Sequence, residues 1–193
     1  MSRILHIDTS AAKAQSNSRK LSQAVVDQLN PTSVTYRDIS DGLPIITEAF
    51  IGAAYTPREQ RSEEQNEILS LSDKLVDEIK AHDIIVLGVP MYNFNIPASL
   101  KLYEDLIARV GKTFMYTDTG PKGLIEGKKI IFVLTSGGVP LNSGLPMDHM
   151  TASLKTFFNF LGLEDQRLIT ASGLAANAEQ SINDAMLEIA KIA

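Results

Sequence analysis

Five apolar runs rich in β-branched residues alternate along this chain with segments of helical period, and that alternation narrows the fold more than any other feature. Strand, helix, strand in succession is the pattern of βαβ units. The first strand is expected over Arg3 to Asp8, then a polar loop from Thr9 to Asn17, then a helix from Arg19 to Leu29 with Leu21, Val25 and Leu29 on one stripe. Asn30-Pro31 stops that helix. A second strand covers Ser33 to Asp38, and an irregular stretch from Ser40 to Tyr55 leads to a long helix reaching about Lys80. Its opening, Thr56-Pro57-Arg58-Glu59, reads as a capping box with Thr56 as N-cap, and Ile68, Leu71, Leu75, Val76 and Ile79 form its core stripe. The third strand runs from Asp83 to Val89, and a helix from Ala98 to Val110 ends at Gly111. A fourth strand from Lys128 to Thr135, a helix near His149 to Leu161, a fifth strand near Gln166 to Ala171 and a last helix from Ala178 complete the pattern. Right-handed crossovers then favour an open parallel α/β sheet of order 2-1-3-4-5 with helices on both faces, and ligands of such sheets sit at the carboxyl ends of the strands where the winding reverses.

Composition removes several functional classes. A chain of 193 residues, 44% hydrophobic, fills one core, so a single domain over 1–193 is expected. The net charge is −5 and the 18 basic residues are scattered, which argues against a nucleic-acid partner. With no cysteine there is neither a disulfide framework nor a thiolate nucleophile, and no metal cluster is expected. No apolar stretch approaches the roughly 20 residues needed to cross a bilayer, and the N-terminal apolar run is too short for a signal peptide. The expectation is a soluble, cytoplasmic protein without a membrane partner.

Three loops carry the chemistry. After the first strand, Ser10, Ser16, Asn17 and Ser18 precede a helix, where free backbone N–H groups and short hydroxyls suit a phosphate. A cap alone would need one such residue. After the third strand comes "PMYNFNIP", in which prolines stiffen both ends, Met91, Tyr92 and Phe94 offer flat or polarizable surface, and Asn93 and Asn95 offer amide donors and acceptors. A flavin ring needs apolar walls for its faces and hydrogen bonds along its pyrimidine edge. After the fourth strand, Ser136, Gly137 and Gly138 let the backbone approach a ligand closely, so that nearby N–H groups could meet negative charge. There is no GxGxxG, and "GLIEGKK" at Gly123 to Lys129 lacks the spacing, the hydroxyl and the strand-loop-helix context of a Walker loop, so it reads as a turn. His6, His82 and His149 stand alone, and no catalytic histidine is expected.

Ser10, the "SNS" of Ser16 to Ser18, "PMYNFNIP" and "TSGG" together resemble the FMN-dependent NADH azoreductases, or NADH:quinone oxidoreductases, over essentially the whole chain. That resemblance implies a flavodoxin-like homodimer carrying non-covalent FMN, which reduces quinones and azo compounds with NADH by two-electron ping-pong transfer. It implies that Ser10 and Ser16 to Ser18 hold the phosphate and ribityl chain, that Met91, Tyr92, Asn93 and Phe94 line the ring, and that Ser136 to Val139 close its other edge. Because the flavin carries the chemistry, no catalytic side chain is required. Tyr55, Tyr116 and Phe158 are candidate aromatics of the substrate pocket. Two departures bear on substrate range: the family's Ser-Arg-Gly-Gly is Ser136-Gly137-Gly138-Val139 here, and the segment between Ser40 and Thr56 has no basic residue before the helix. The alternative reading is a flavodoxin-type one-electron carrier, which a net charge of only −5 fits poorly.

Overall fold

The computed structural model describes residues 2–192. Strands β1 (Arg3–Asp8), β2 (Ser33–Asp38) and β3 (Ile84–Pro90) are joined by helices α1 (Asn17–Leu29), α2 (Glu48–Tyr55) and α3 (Glu63–Ala81). Helix α4 (Ala98–Ile107) and a hairpin of β4 (Phe114–Thr117) and β5 (Gly120–Gly123) then precede β6 (Lys129–Thr135), α5 (His149–Phe160), β7 (Asp165–Ala171) and α6 (Ala178–Ile189). The five long strands form one sheet of order β2-β1-β3-β6-β7, every neighbouring pair parallel. The expected order 2-1-3-4-5 is therefore present.

Strand side chains alternate between two cores, as the two-residue period demands. Leu5 and Ile7 of β1, Ile85, Leu87 and Val89 of β3, and Ile130, Phe132 and Leu134 of β6 face the core built with α2 to α5. Ile4, Val86, Ile131 and Val133 face α1 and α6 through Leu21, Val25, Val26, Ala185 and Ile189. On β1 that second face also receives His6 and Asp8, by parity with Ile4. No helix among the described residues is long and apolar enough to cross a membrane.

Three expectations need correction. The long helix does not open at Thr56: its N-cap is Ser62, whose side chain accepts from the Gln65 N–H at 3.2 Å while Gln65 Oε1 accepts from the Ser62 N–H at 3.0 Å. Thr56 instead closes α2, its hydroxyl donating to the Gly52 carbonyl at 2.8 Å, and Glu59 lies in a single 3-10 turn, Arg58–Gln60. The stretch from Ser40 to Tyr55 is consequently not all irregular, because Thr47 caps α2 through the Phe50 N–H. Finally, Gly123 of the supposed turn belongs to β5, and the turn itself is at Gly127, with φ +71°.

Candidate functional site

The carboxyl end of β1 delivers the first loop to the N-terminus of α1. Thr9 ties it to the end of β3, donating to the Gly88 carbonyl from N–H (3.2 Å) and hydroxyl (2.9 Å). Ser16 caps α1 by accepting from the Arg19 N–H at 3.3 Å, and its Oγ lies 3.0 Å from Ser18 Oγ. Ser10, Ser16 and Ser18 are all buried. The first turn of α1 holds no acidic residue, so no carboxylate there offsets the positive end of the helix dipole.

Beneath this loop lies a polar network. Asp8 accepts from Ser22 Oγ at 2.9 Å and from the Tyr36 phenol at 3.1 Å, and His6 Nε2 lies 2.9 Å from Ser22 Oγ. Burial pushes the Asp8 carboxyl up, but hydrogen bonds with His6, Ser22 and Tyr36 outweigh it and hold the group below the usual carboxylate range. Gly88 makes the space: it is paired with Asp8 across β1 and β3, and a Cβ there would come within 2.5 Å of Asp8 Oδ1. At the end of β2, burial likewise raises Asp38, while hydrogen bonds from Arg19, Ser40 and Lys13 lower it well below its ordinary value.

The third loop explains its own unusual composition. Tyr92 and Asn95 exchange both backbone hydrogen bonds, at 2.9 and 3.0 Å, around Asn93 (φ +48°) and Phe94 (φ +70°). Two consecutive left-handed residues in a two-residue connection form a type I′ turn, a conformation that favours Asn-Gly. Asn93 suits it; Phe94 does not, and its ring is 50% exposed. The Met91 N–H donates to the Thr135 carbonyl at 2.7 Å, fastening the loop to β6, and Pro97 starts α4. Across the crevice, the Tyr92 phenol oxygen accepts from the Ala11 N–H at 3.1 Å and lies 3.5 Å from Ser10 Oγ. The first and third loops therefore meet at the junction of β1 and β3.

The fourth loop leaves β6 beside them. The Ser136 hydroxyl is buried and donates to the Val139 carbonyl, closing a tight bend. Gly137 and Gly138 are exposed, and a Cβ on Gly138 would meet nothing within 4 Å. Internal packing thus does not demand glycine at 138.

A family model described as flavodoxin-like fold matches residues 2–192. The chain belongs to this flavodoxin-like family. Two curated relatives, each called FMN-dependent NADH:quinone oxidoreductase 1, are similar along nearly their whole lengths. The one from Hahella chejuensis is 46% identical over 98% of this chain and 94% of its own. The one from Jannaschia sp. is 44% identical over 100% of both. Among solved structures, an azoreductase from Bacillus anthracis str. Sterne superposes with a TM-score of 0.89 at 28% identity, covering 100% of this chain and 98% of that one.

Within this flavodoxin-like chain the three candidate pocket aromatics do not join the loops. Phe158 is 1% exposed, packed on Phe132 and Phe157 with ring centroids 5.4 and 5.2 Å away, because it lies on the core stripe of α5 with Leu154. Tyr55 is 68% exposed and lines a cleft with Lys80, Val110, Gly111 and Lys112, at the ends of α3 and α4 remote from the third loop. Tyr116 is 65% exposed on the hairpin, stacked edge-on against Phe114. Sequence reasoning in turn missed Asp8, Tyr36, Arg19 and Asp38. Their signal is the alternation Ile4-His6-Asp8, which puts two polar side chains on a buried strand face that must be satisfied from α1 and β2.

Proposed function

We propose that this chain is an FMN-dependent NADH:quinone oxidoreductase that also cleaves aromatic azo compounds to amines. The observation that carries the reading is the meeting, at 3.1 Å between Ala11 and Tyr92, of a buried hydroxyl cluster at a helix N-terminus with an aromatic, amide-rich turn. The names of relatives 44% to 46% identical over nearly the whole chain support the same activity.

The donor set fits FMN. Ser16, Asn17 and Ser18 supply hydroxyl and N–H donors without an acidic neighbour in the first turn, which suits a phosphate, and Ser10 lies between them and the third loop. Met91, Tyr92, Asn93 and Phe94 would flank the ring, with the exposed, strained Phe94 offering a flat face. Ser136, Gly137, Gly138 and Val139 would close the opposite edge, where backbone N–H groups favour negative charge. The bound flavin would supply the two-electron chemistry, taking hydride from NADH and giving it to the acceptor. Open loop edges leave water to provide the protons. We read the active form as a homodimer in the cytoplasm: Ile51 and Tyr55 form an exposed apolar pair one turn apart on α2, and Tyr116 is exposed on the hairpin. Tyr55 and Tyr116 would then wall a substrate pocket only as residues presented to a second copy.

The test is steady-state kinetics of the FMN-loaded protein with NADH and a benzoquinone. Parallel double-reciprocal lines and loss of activity on removing FMN are expected. Absence of NADH-dependent quinone reduction by protein that retains FMN would overturn the reading.

A further inference from the structure

Arg19 lies in the first turn of α1, where a basic side chain opposes the helix dipole unless it has other partners. Its guanidinium turns back under the first loop and finds them. Nη2 donates to the Ser10 carbonyl at 2.7 Å, to Asp38 Oδ1 at 2.9 Å and to Ser40 Oγ at 3.0 Å. Nη1 donates to the Tyr36 phenol at 2.8 Å and lies 3.6 Å from Asp8 Oδ2. The acids offset its charge, and the fork is held on both sides by β1 and β2.

The consequence runs through one peptide bond. A trans peptide is planar, with its C=O and N–H pointing opposite ways. Aiming the Ser10 carbonyl at Arg19 therefore aims the Ala11 N–H away from it, toward the crevice, where it meets the Tyr92 phenol at 3.1 Å. Lys13 braces the same loop from outside, donating to Asp38 at 3.0 Å, Ser40 at 2.6 Å and Asp41 at 3.1 Å.

We propose that Arg19, anchored by Asp38, is a positioning residue for the phosphate end of the cofactor: by holding the Ser10 carbonyl it locks the Ser10–Ala11 peptide against Tyr92 and so fixes the first loop and the Ser10 hydroxyl beside the ligand. It acts through the loop and touches no ligand itself. The inference rests on the reading of this loop as the phosphate site. A guanidinium is required, because a lysine cannot serve the Ser10 carbonyl, Asp38 and the Tyr36 phenol from one planar group.

The test compares FMN with riboflavin, which lacks the phosphate, by flavin-fluorescence titration of the flavin-free full chain. Arg19→Gln and Arg19→Lys should each weaken FMN by about tenfold or more, with riboflavin affinity moving by no more than about twofold. Asp38→Asn should shift the FMN-to-riboflavin ratio in the same direction by a smaller factor. Ser18→Ala is the control for the loop. If Ser18→Ala lowers that ratio and the Arg19 variants do not, the phosphate reading stands and the role of Arg19 is overturned. If Arg19→Lys restores FMN affinity in full, charge alone suffices and peptide positioning is overturned. Equal weakening of both flavins marks a general loosening of the fold and also overturns it. If no variant, Ser18→Ala included, alters the ratio, the phosphate reading fails together with the inference.

Discussion

Phe94 occupies a backbone conformation that costs a side chain about 1 kcal/mol or more, with φ at +70° and half its ring in solvent. The fold thus keeps a strained, half-exposed aromatic at the tip of the third loop. Strain of this kind is retained where a ligand uses it. Replacing Phe94 with Gly should therefore stabilise the flavin-free protein by about 0.5–1 kcal/mol while weakening FMN by about tenfold, a loss comparable to one stacking contact. Urea unfolding and flavin titration read the two effects separately. A loss of stability in Phe94→Gly would mean that the ring serves the fold. The motif was legible in sequence as a break between strand and helix because its residue types are so unlike either. The left-handed pair at Asn93 and Phe94 was not, since phenylalanine is among the residues least expected there.

The start of α3 is a contest between two segments with the same grammar. Thr56-x-x-Glu59 and Ser62-x-x-Gln65 both spell a capping box, but the reciprocal pair forms at Ser62, followed by Glu63 and Glu64 at the positive end of the helix. Ser62→Ala should cost about 1 kcal/mol in thermal or urea unfolding, and Thr56→Ala less than half of that. The reverse order would return the helix start to Thr56. The core strands were legible because each is a β-branched run bounded by turn chemistry, and β1 and β2 match their expected limits residue for residue. Helix α2 was hidden by its eight-residue length and internal Gly52. The hairpin was hidden because β5 is Gly-Pro-Lys-Gly, a poor strand by propensity. Tertiary contacts place it: a Cβ on Gly123 would lie 2.2 Å from the Gly162 N, and the Leu124 N–H donates to the Thr113 carbonyl. Tertiary placement likewise separates Tyr55 on α2, Tyr116 on the hairpin and Phe158 on the core stripe of α5, a separation that composition does not foretell.

At the scale of the molecule, one buried acid ties stability to pH. Glu104 on α4 is 2% exposed and its Oε1 has no hydrogen-bond partner. Burial pushes its pKa up to about 7 from an ordinary 4.5, with Lys101 lowering it and Asp105 raising it to smaller extents. Between about pH 4.5 and 7 the folded chain holds a proton that the unfolded chain has released, so stability falls as pH rises through that window and stays lower above it. Glu104→Gln should remove this decline and leave the protein more stable by roughly 2 kcal/mol at alkaline pH. An undiminished decline in the variant would show that another group sets it. The central claim, that the three loops at the carboxyl edge of the sheet hold FMN for exchange between NADH and a quinone, is tested most directly by anaerobic stopped-flow of the FMN-loaded protein. Rapid, complete bleaching of the flavin by NADH, then full return of colour on mixing with a benzoquinone, is the result expected. A flavin that stays oxidised with NADH, yet exchanges electrons with a protein partner, would contradict the account and make the chain an electron carrier.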